Sequence, residues 1–233
     1  MSYIGKVKSS LITSFKEYDW DKLRWRNLDR MKLYYAFRSM LHPIKVFNEI
    51  RFSNKGSVLI ASVLFILNFV VQLISYSGVG FIFNMNRPED FNIFAEFLKS
   101  NMIIVLWCIT NWATTTLFDG EGKFSHIWIA TNYAMLPRII FTPLVVLLTN
   151  FICIDEAMFY TLFDTLIVVW IGFIALCAFI TIHQFTLMKT IASSLITVVM
   201  MIFILFIALL FISIAQQIFS FVKTIAFEVV LRS

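Results

Sequence analysis

Asp119 and Glu121 stand two residues apart on a turn that also holds Gly120 and Gly122, and paired carboxylates are the first place to look for acid–base chemistry. Such work needs a cleft that tunes one carboxyl away from the other and holds a substrate against both. A short turn between two apolar runs offers neither, and a glycine-rich turn is reason enough for the pattern. Gly120-Glu121-Gly122-Lys123 also lacks the GK[ST] ending of a phosphate-binding loop, so no nucleotide is expected. His42, His126 and His183 lie beside apolar runs but far apart in sequence, whereas metal sites announce themselves by spacings such as H-x-x-x-H or C-x-x-C. They read as interfacial histidines satisfied by headgroups or backbone. Cys108, Cys153 and Cys177 show no paired spacing either and read as small apolar packing residues. No catalytic residue, metal or cofactor is therefore expected.

The element that must carry this turn is the run Asn111 to Pro137, NWATTTLFDGEGKFSHIWIATNYAMLP. An apolar segment ends at Phe118, the chain turns through Asp119 to Gly122, and an aromatic segment returns to meet Pro137. That is a helical hairpin with a polar tip. The chain around it is 60% hydrophobic and 14% charged, with a mean hydropathy of +0.84. Soluble domains hold roughly 45–50% apolar and about 25% charged residues. Only helices and closed barrels satisfy every backbone group in lipid, and these long continuous runs lack the period of two that barrel strands require. The fold class is all-α: a polytopic helical membrane protein with five transmembrane helices behind N-terminal interfacial helices.

Residues 1–56 form a basic segment, from Lys6 to Lys55, in which charge persists too long for a secretory signal. Trp20 to Leu41 reads as an interfacial helix and Pro43 to Ser53 as a second, lying on the membrane surface with Ile44, Phe47 and Ile50 toward lipid. Lipid or a protein partner, rather than nucleic acid, is the expected recipient of the positive charge. The five-span domain covers residues 57–215. Its spans are expected at about Val58–Gly78, Asn101–Leu117, a third region within Ile127–Asn150, Tyr160–Ile182, and Ser193 to about Ser213. Val79 to Leu98 is read as a loop, with a helix from Pro88 onward. The third region admits two arrangements. A continuous helix would put Arg138 near mid-bilayer at a cost of about 2.5–3.5 kcal/mol. An interfacial Phe124–Leu136 would leave a short span from Ile139. The intermediate we favour is a helix broken near Pro137, with Arg138 snorkelling inward and Pro143 removing a further backbone donor. Residues 216–233 are expected to form an amphipathic tail. The basic residues cluster on one side of the spans, which places the N-terminus in the cytoplasm of a cell-membrane protein and the C-terminus outside.

Asp119-Gly120-x-Gly122-x-Phe124 after a span, the later Tyr133-Ala134-x-x-Pro137, and five spans behind a cytoplasmic N-terminus resemble the Yip family, named for proteins that interact with Ypt/Rab GTPases. The resemblance covers about Pro43 to Ser213, and His42-Pro43 with Phe47 is more similar to its bacterial branch. It implies Golgi and endoplasmic-reticulum vesicle traffic for eukaryotic members, and for bacterial ones companionship with carbohydrate ABC-transporter components.

Within the spans, Asn68, Gln72, Asn111, Thr114 to Thr116, Asn132, Asn150 and Asp164 must find partners in the bundle or line a pathway. Five unequal spans with few buried charges fit a transporter poorly. The expected function is a non-catalytic accessory or scaffold subunit of a membrane assembly; the alternatives are a small transporter or channel, or a Rab-interacting trafficking protein. The expected partner surface joins Phe47, Arg51 and Lys55 to the tip residues Asp119, Gly120, Glu121, Gly122 and Phe124, together with the His183–Lys189 turn, since aromatic and arginine side chains dominate interfaces. The partner is another membrane protein, such as a transporter permease. Tyr133, Pro137, Arg138 and Pro143 are expected to be structural.

Overall fold

The computed structural model describes residues 30–84, 89, 91–118 and 120–232. The expected Trp20–Leu41 helix is therefore seen only from Arg30, and Arg87, Pro88, Asp90 and Asp119 lie outside the described residues.

The uncharged run after Gly56 becomes helix α3, Val58–Gly78, with the same ends as expected. Ser57 sets the start by accepting a hydrogen bond from the amide of Ile60, as an N-cap does. It is preceded by α1 (Arg30–Leu41) and α2 (Pro43–Ser53). The second span is longer than expected: α4 (Ile93–Phe97), a π-helical turn (Leu98–Met102) and α5 (Ile103–Leu117) run on as one apolar helix. It begins at Asn92, whose side chain accepts from the Phe94 and Ala95 amides, so Glu96 belongs to the span and not to a loop. The third span is broken. Helix α6 (Phe124–Ala134) ends at Met135 and α7 (Leu136–Leu148) begins there, with Pro137 in its first turn and Pro143 inside it. Helix α8 (Ala157–His183) and α9 (Leu187–Arg232) complete five helices long and apolar enough to cross a membrane. The protein is thus an all-α multi-pass membrane protein.

The core forms where α6 is surrounded by α1, α3, α5 and α8, and Ile127, Ala130, Tyr133, Ile174, Ala178 and Ile182 are buried there. Tyr133 is fully buried, and its hydroxyl accepts from the Ser57 amide at 3.4 Å, which ties the start of α3 to α6. Polar residues of the spans pair with one another. Asn68 donates to the Ser100 carbonyl and to Asn101 Oδ1, and Asn101 donates to the Phe65 carbonyl, so the π-helical turn presents two amide-bearing groups to α3. A second chain of bonds runs from Lys99 to Glu96 (2.6 Å), from Gln72 to Glu96 (3.0 Å) and from Arg138 to Gln72 (2.7 Å). Arg138 therefore does not snorkel toward the tip. Its guanidinium is held on the other half of the bundle by Gln72 of α3, and Asp164 of α8 is the opposite charge acting on it, which spares it the cost of a lone ion in lipid.

Two surface expectations are corrected. Helix α2 does not lay Phe47 and Ile50 on lipid: with Pro43 and Val46 they are buried, and α2 packs along α8. The Trp170 indole donates to the Met40 carbonyl, and Arg51 reaches Thr181 and Ile182, so the α1–α2 hairpin stands beside the second half of α8 rather than flat on a surface. Lys55 bonds Glu49 at 2.9 Å. The same hydrogen bond, helped by Tyr35, holds the Glu49 carboxyl below its ordinary range and the Lys55 ammonium above its own. At the chain's end helix α9 continues without a break to Arg232, so the expected boundary at 215/216 falls within one helix.

Helix levels follow from these contacts. The Phe65 carbonyl is level with Asn101, and α3 and α5 run in opposite directions, so Val58 is level with Cys108, which is buried in the core where α5 packs on α6. From there α5 continues to Leu117, about 13 Å further at 1.5 Å per residue. The hairpin tip and the ends of α5, α6 and α8 thus stand beyond the level at which α3 begins. This is called the tip end below.

Candidate functional site

The tip end is built around His183, the last residue of α8. Gln184 closes the helix with a left-handed backbone (φ 54°), and this turns the chain so that Phe185 stacks on one side of the imidazole while Phe179 stacks on the other. His183 is 2% exposed. Its Nε2 bonds Asn111 Oδ1 at 3.1 Å, which makes Nε2 the protonated nitrogen, and Nδ1, facing the glycine turn, is buried without a hydrogen-bond partner among the described residues.

Gly120 and Gly122 close over that ring. A Cβ on Gly122 would lie 2.6 Å from His183 Cε1 and 2.7 Å from Nδ1; one on Gly120 would lie 2.9 Å from the Thr115 carbonyl oxygen and 3.1 Å from His183 Nδ1. Neither glycine has positive φ. The turn therefore needs glycine because the backbone touches an aromatic ring, and not because it adopts angles that side chains disfavour. The Gly120 amide donates to the Thr115 carbonyl at 2.8 Å, which satisfies the end of α5.

Arg51 locks the arrangement from α2. It donates to the Thr181 carbonyl at 3.2 Å, to the Ile182 carbonyl and to the Glu121 carboxylate, joining α2, the end of α8 and the tip. A cation at the C-terminal end of α8 meets both the free carbonyls and the negative end of the helix dipole. The Arg51 side chain is 10% exposed and that of Glu121 68%. Replacing Arg51 by Ala removes two charge-assisted bonds to buried carbonyls and is expected to cost about 3 kcal/mol. Glu121→Gln, at a solvent-facing partner, is expected to cost less than about 1 kcal/mol. Thermal melts of the two variants in detergent micelles check this order.

The structure thus gathers Arg51, Gly120, Glu121 and Gly122, while separating them in role from the other residues expected at a partner surface. Phe47 is fully buried and offers nothing to a partner. Lys55 is exposed beside Glu49 and over the Tyr35 ring. Phe124 is 40% exposed and meets Trp112 edge-on. The sequence suggests that His183 is satisfied by headgroups or backbone, and it is instead bonded to the Asn111 side chain at the buried centre of the site; the aromatic residues four before it and two after it were the available signal. Cys108 and Cys177 are buried, as packing residues are, but Cys153 is exposed in the turn after α7. Among the described residues no three His, Cys, Asp or Glu side chains gather as a metal site would require.

Beside this clamp, among the described residues, the ends of α5, α6 and α9 expose apolar side chains: Leu117 (79% exposed), Phe118, Phe124, Leu187 and Met188 (78%). Lys123 and Lys189 are exposed among them.

Comparison with curated proteins and with solved structures found no match. The family model of the Yip1 domain matches residues 37–215, which takes in the end of α1, α2 through α8, the glycine tip and α9 as far as Ala215. On that match over most of its length, the chain belongs to the Yip1 domain family.

Proposed function

We propose that the protein is a non-catalytic accessory or scaffold subunit that binds another membrane protein through its tip end. One observation carries the reading: Leu117, Phe118, Phe124, Leu187 and Met188 are exposed together at the end that stands about 13 Å beyond the start of α3. Exposed apolar side chains gathered at the ends of the candidate spans support an interface there. The clamp of Arg51, His183 and the glycine turn holds these side chains in place beneath that surface, so partner binding pays little ordering cost. Lys123 and Lys189 supply a polar rim. A carbohydrate-transporter permease is the partner we propose, since the bacterial branch that His42-Pro43 and Phe47 resemble keeps that company. The tip end is the cytoplasmic end in this reading, because the basic residues of the N-terminal segment precede α3 on the same side.

Mild-detergent pull-down from native membranes with mass spectrometry tests it. Leu117→Ser and Met188→Ser lie outside the core, and each is expected to lower partner recovery by at least about tenfold, a loss of about 1.4 kcal/mol. Recovery of the protein alone under conditions that keep known membrane complexes intact sinks the proposal, and undiminished recovery by both variants sinks the surface. Orientation has its own check: a reporter fused before Met1 is expected to be active inside and one after Ser233 outside. Both ends on one side would contradict five crossings.

A further inference from the structure

We propose that the protein holds one acyl chain of a phospholipid from the tip-side leaflet in a dry cavity between α5, α6, α8 and α9. The cavity is about 430 Å³, within the usual range for small-molecule sites of about 300–1,000 Å³. It arises where α6 ends at Met135. Thr131, Ala134 and Ala175 are too small to fill the space, and α9 rests on α5 while touching α8 only lightly. Trp107, Phe179 and Met201 complete the wall, which presents no polar surface.

Depth and opening select the occupant. Trp107 and Phe179, whose rings lie 5.6 Å apart, adjoin Cys108 and Ala178, at the level where α3 starts its crossing. The cavity extends from there toward mid-bundle, within the hydrocarbon of the leaflet nearer the tip. Ile103, Val198 and Ile202 line its rim and are exposed to the bilayer. A peptide segment entering here would bring backbone amides and carbonyls that the wall cannot pair, and polar ligands fail for the same reason. Water does not fill a cavity without polar partners. An empty space would forfeit dispersion contacts on every wall. A hydrocarbon chain restores those contacts, and at this depth the bilayer supplies acyl chains at the rim. The site is distinct from the partner surface at the tip and does not depend on it.

The test uses phosphatidylcholine brominated at mid-chain, since bromine quenches tryptophan only at close range. The full-length protein is reconstituted in this lipid, returned to mild detergent and freed of loose lipid by gel filtration. Native mass spectrometry then counts retained phospholipid, and the fluorescence difference between wild type and Trp107→Phe isolates the Trp107 signal. One retained phospholipid per chain with loss of the Trp107 signal is expected, and Ala175→Phe or Ala134→Leu, which fill the cavity from opposite walls, should lose the lipid and regain Trp107 emission in that comparison. No retained lipid, a retained lipid that leaves Trp107 emission unchanged, or full retention by a folded filling variant overturns the proposal. The wild-type and Trp107→Phe pair decides the question even where a filling variant does not accumulate.

Discussion

Gly122→Val is expected to prevent the protein from accumulating in membranes. Its Cβ alone would meet His183 at 2.6–2.7 Å and Ile182 Cγ2 at 3.0 Å, and the two added methyl groups have nowhere to go. The ring cannot yield, because Phe179 and Phe185 stack on its faces and Asn111 holds Nε2. Overpacking of a closed site costs about 1–3 kcal/mol, occasionally more, and this contact belongs at or above the top of that range. Gly122→Ala with His183→Ala separates the cause from a general intolerance of the turn. The double variant should melt higher than the sum of the single effects allows, a coupling characteristic of residues in contact. If Gly122→Val accumulates and melts like the wild type, the packing of the tip on His183 is refuted.

Phe47→Ala is expected to lower stability by about 3–5 kcal/mol, the usual cost of removing a buried Phe side chain. The ring lies in the same core cluster as Tyr35, Ile50 and Ile182, so its loss should loosen the α1–α2 hairpin from the bundle. Limited proteolysis near Asn54, in the exposed link between α2 and α3, should rise with the loss of melting temperature. Partner recovery falls only as far as folded protein is lost, whereas Leu117→Ser lowers recovery with the melt unchanged. A Phe47→Ala protein that melts normally yet loses its partner would restore the surface role the sequence suggests.

The difference between those two readings of Phe47 shows what was legible in the chain. Spacing by three at Ile44, Phe47 and Ile50 defines one face of a helix, but says nothing of whether lipid or protein covers it. In fact Ile44 is exposed while Phe47 and Ile50 are buried. The ends of α3 were readable because an N-cap serine and an unbroken apolar run mark them locally. So was the break in the third span, since Pro137 removes a backbone donor where Arg138 also resists a midplane position. Glu96 was misplaced for the opposite reason. A charge reads as a loop until Lys99 and Gln72 are known to satisfy it, and those bonds depend on how the π-helical turn faces α3. The glycine tip was recognised, but its reason was not, because the ring it touches lies in another span more than sixty residues away.

The length of α9 bears on how the chain is made. Among its described side chains the buried positions end at Thr197, Met201, Ile202 and Leu205 still wall the cavity, and those from Leu209 to Phe221 are exposed, so these later turns contribute little to the assembled bundle. During synthesis, α1 to α8 and the first turns of α9 can complete the packed unit while the rest of α9 is still in the ribosomal tunnel. The chain then has its clamp closed at one end before translation finishes, and the remaining helix is threaded into lipid by its own apolarity.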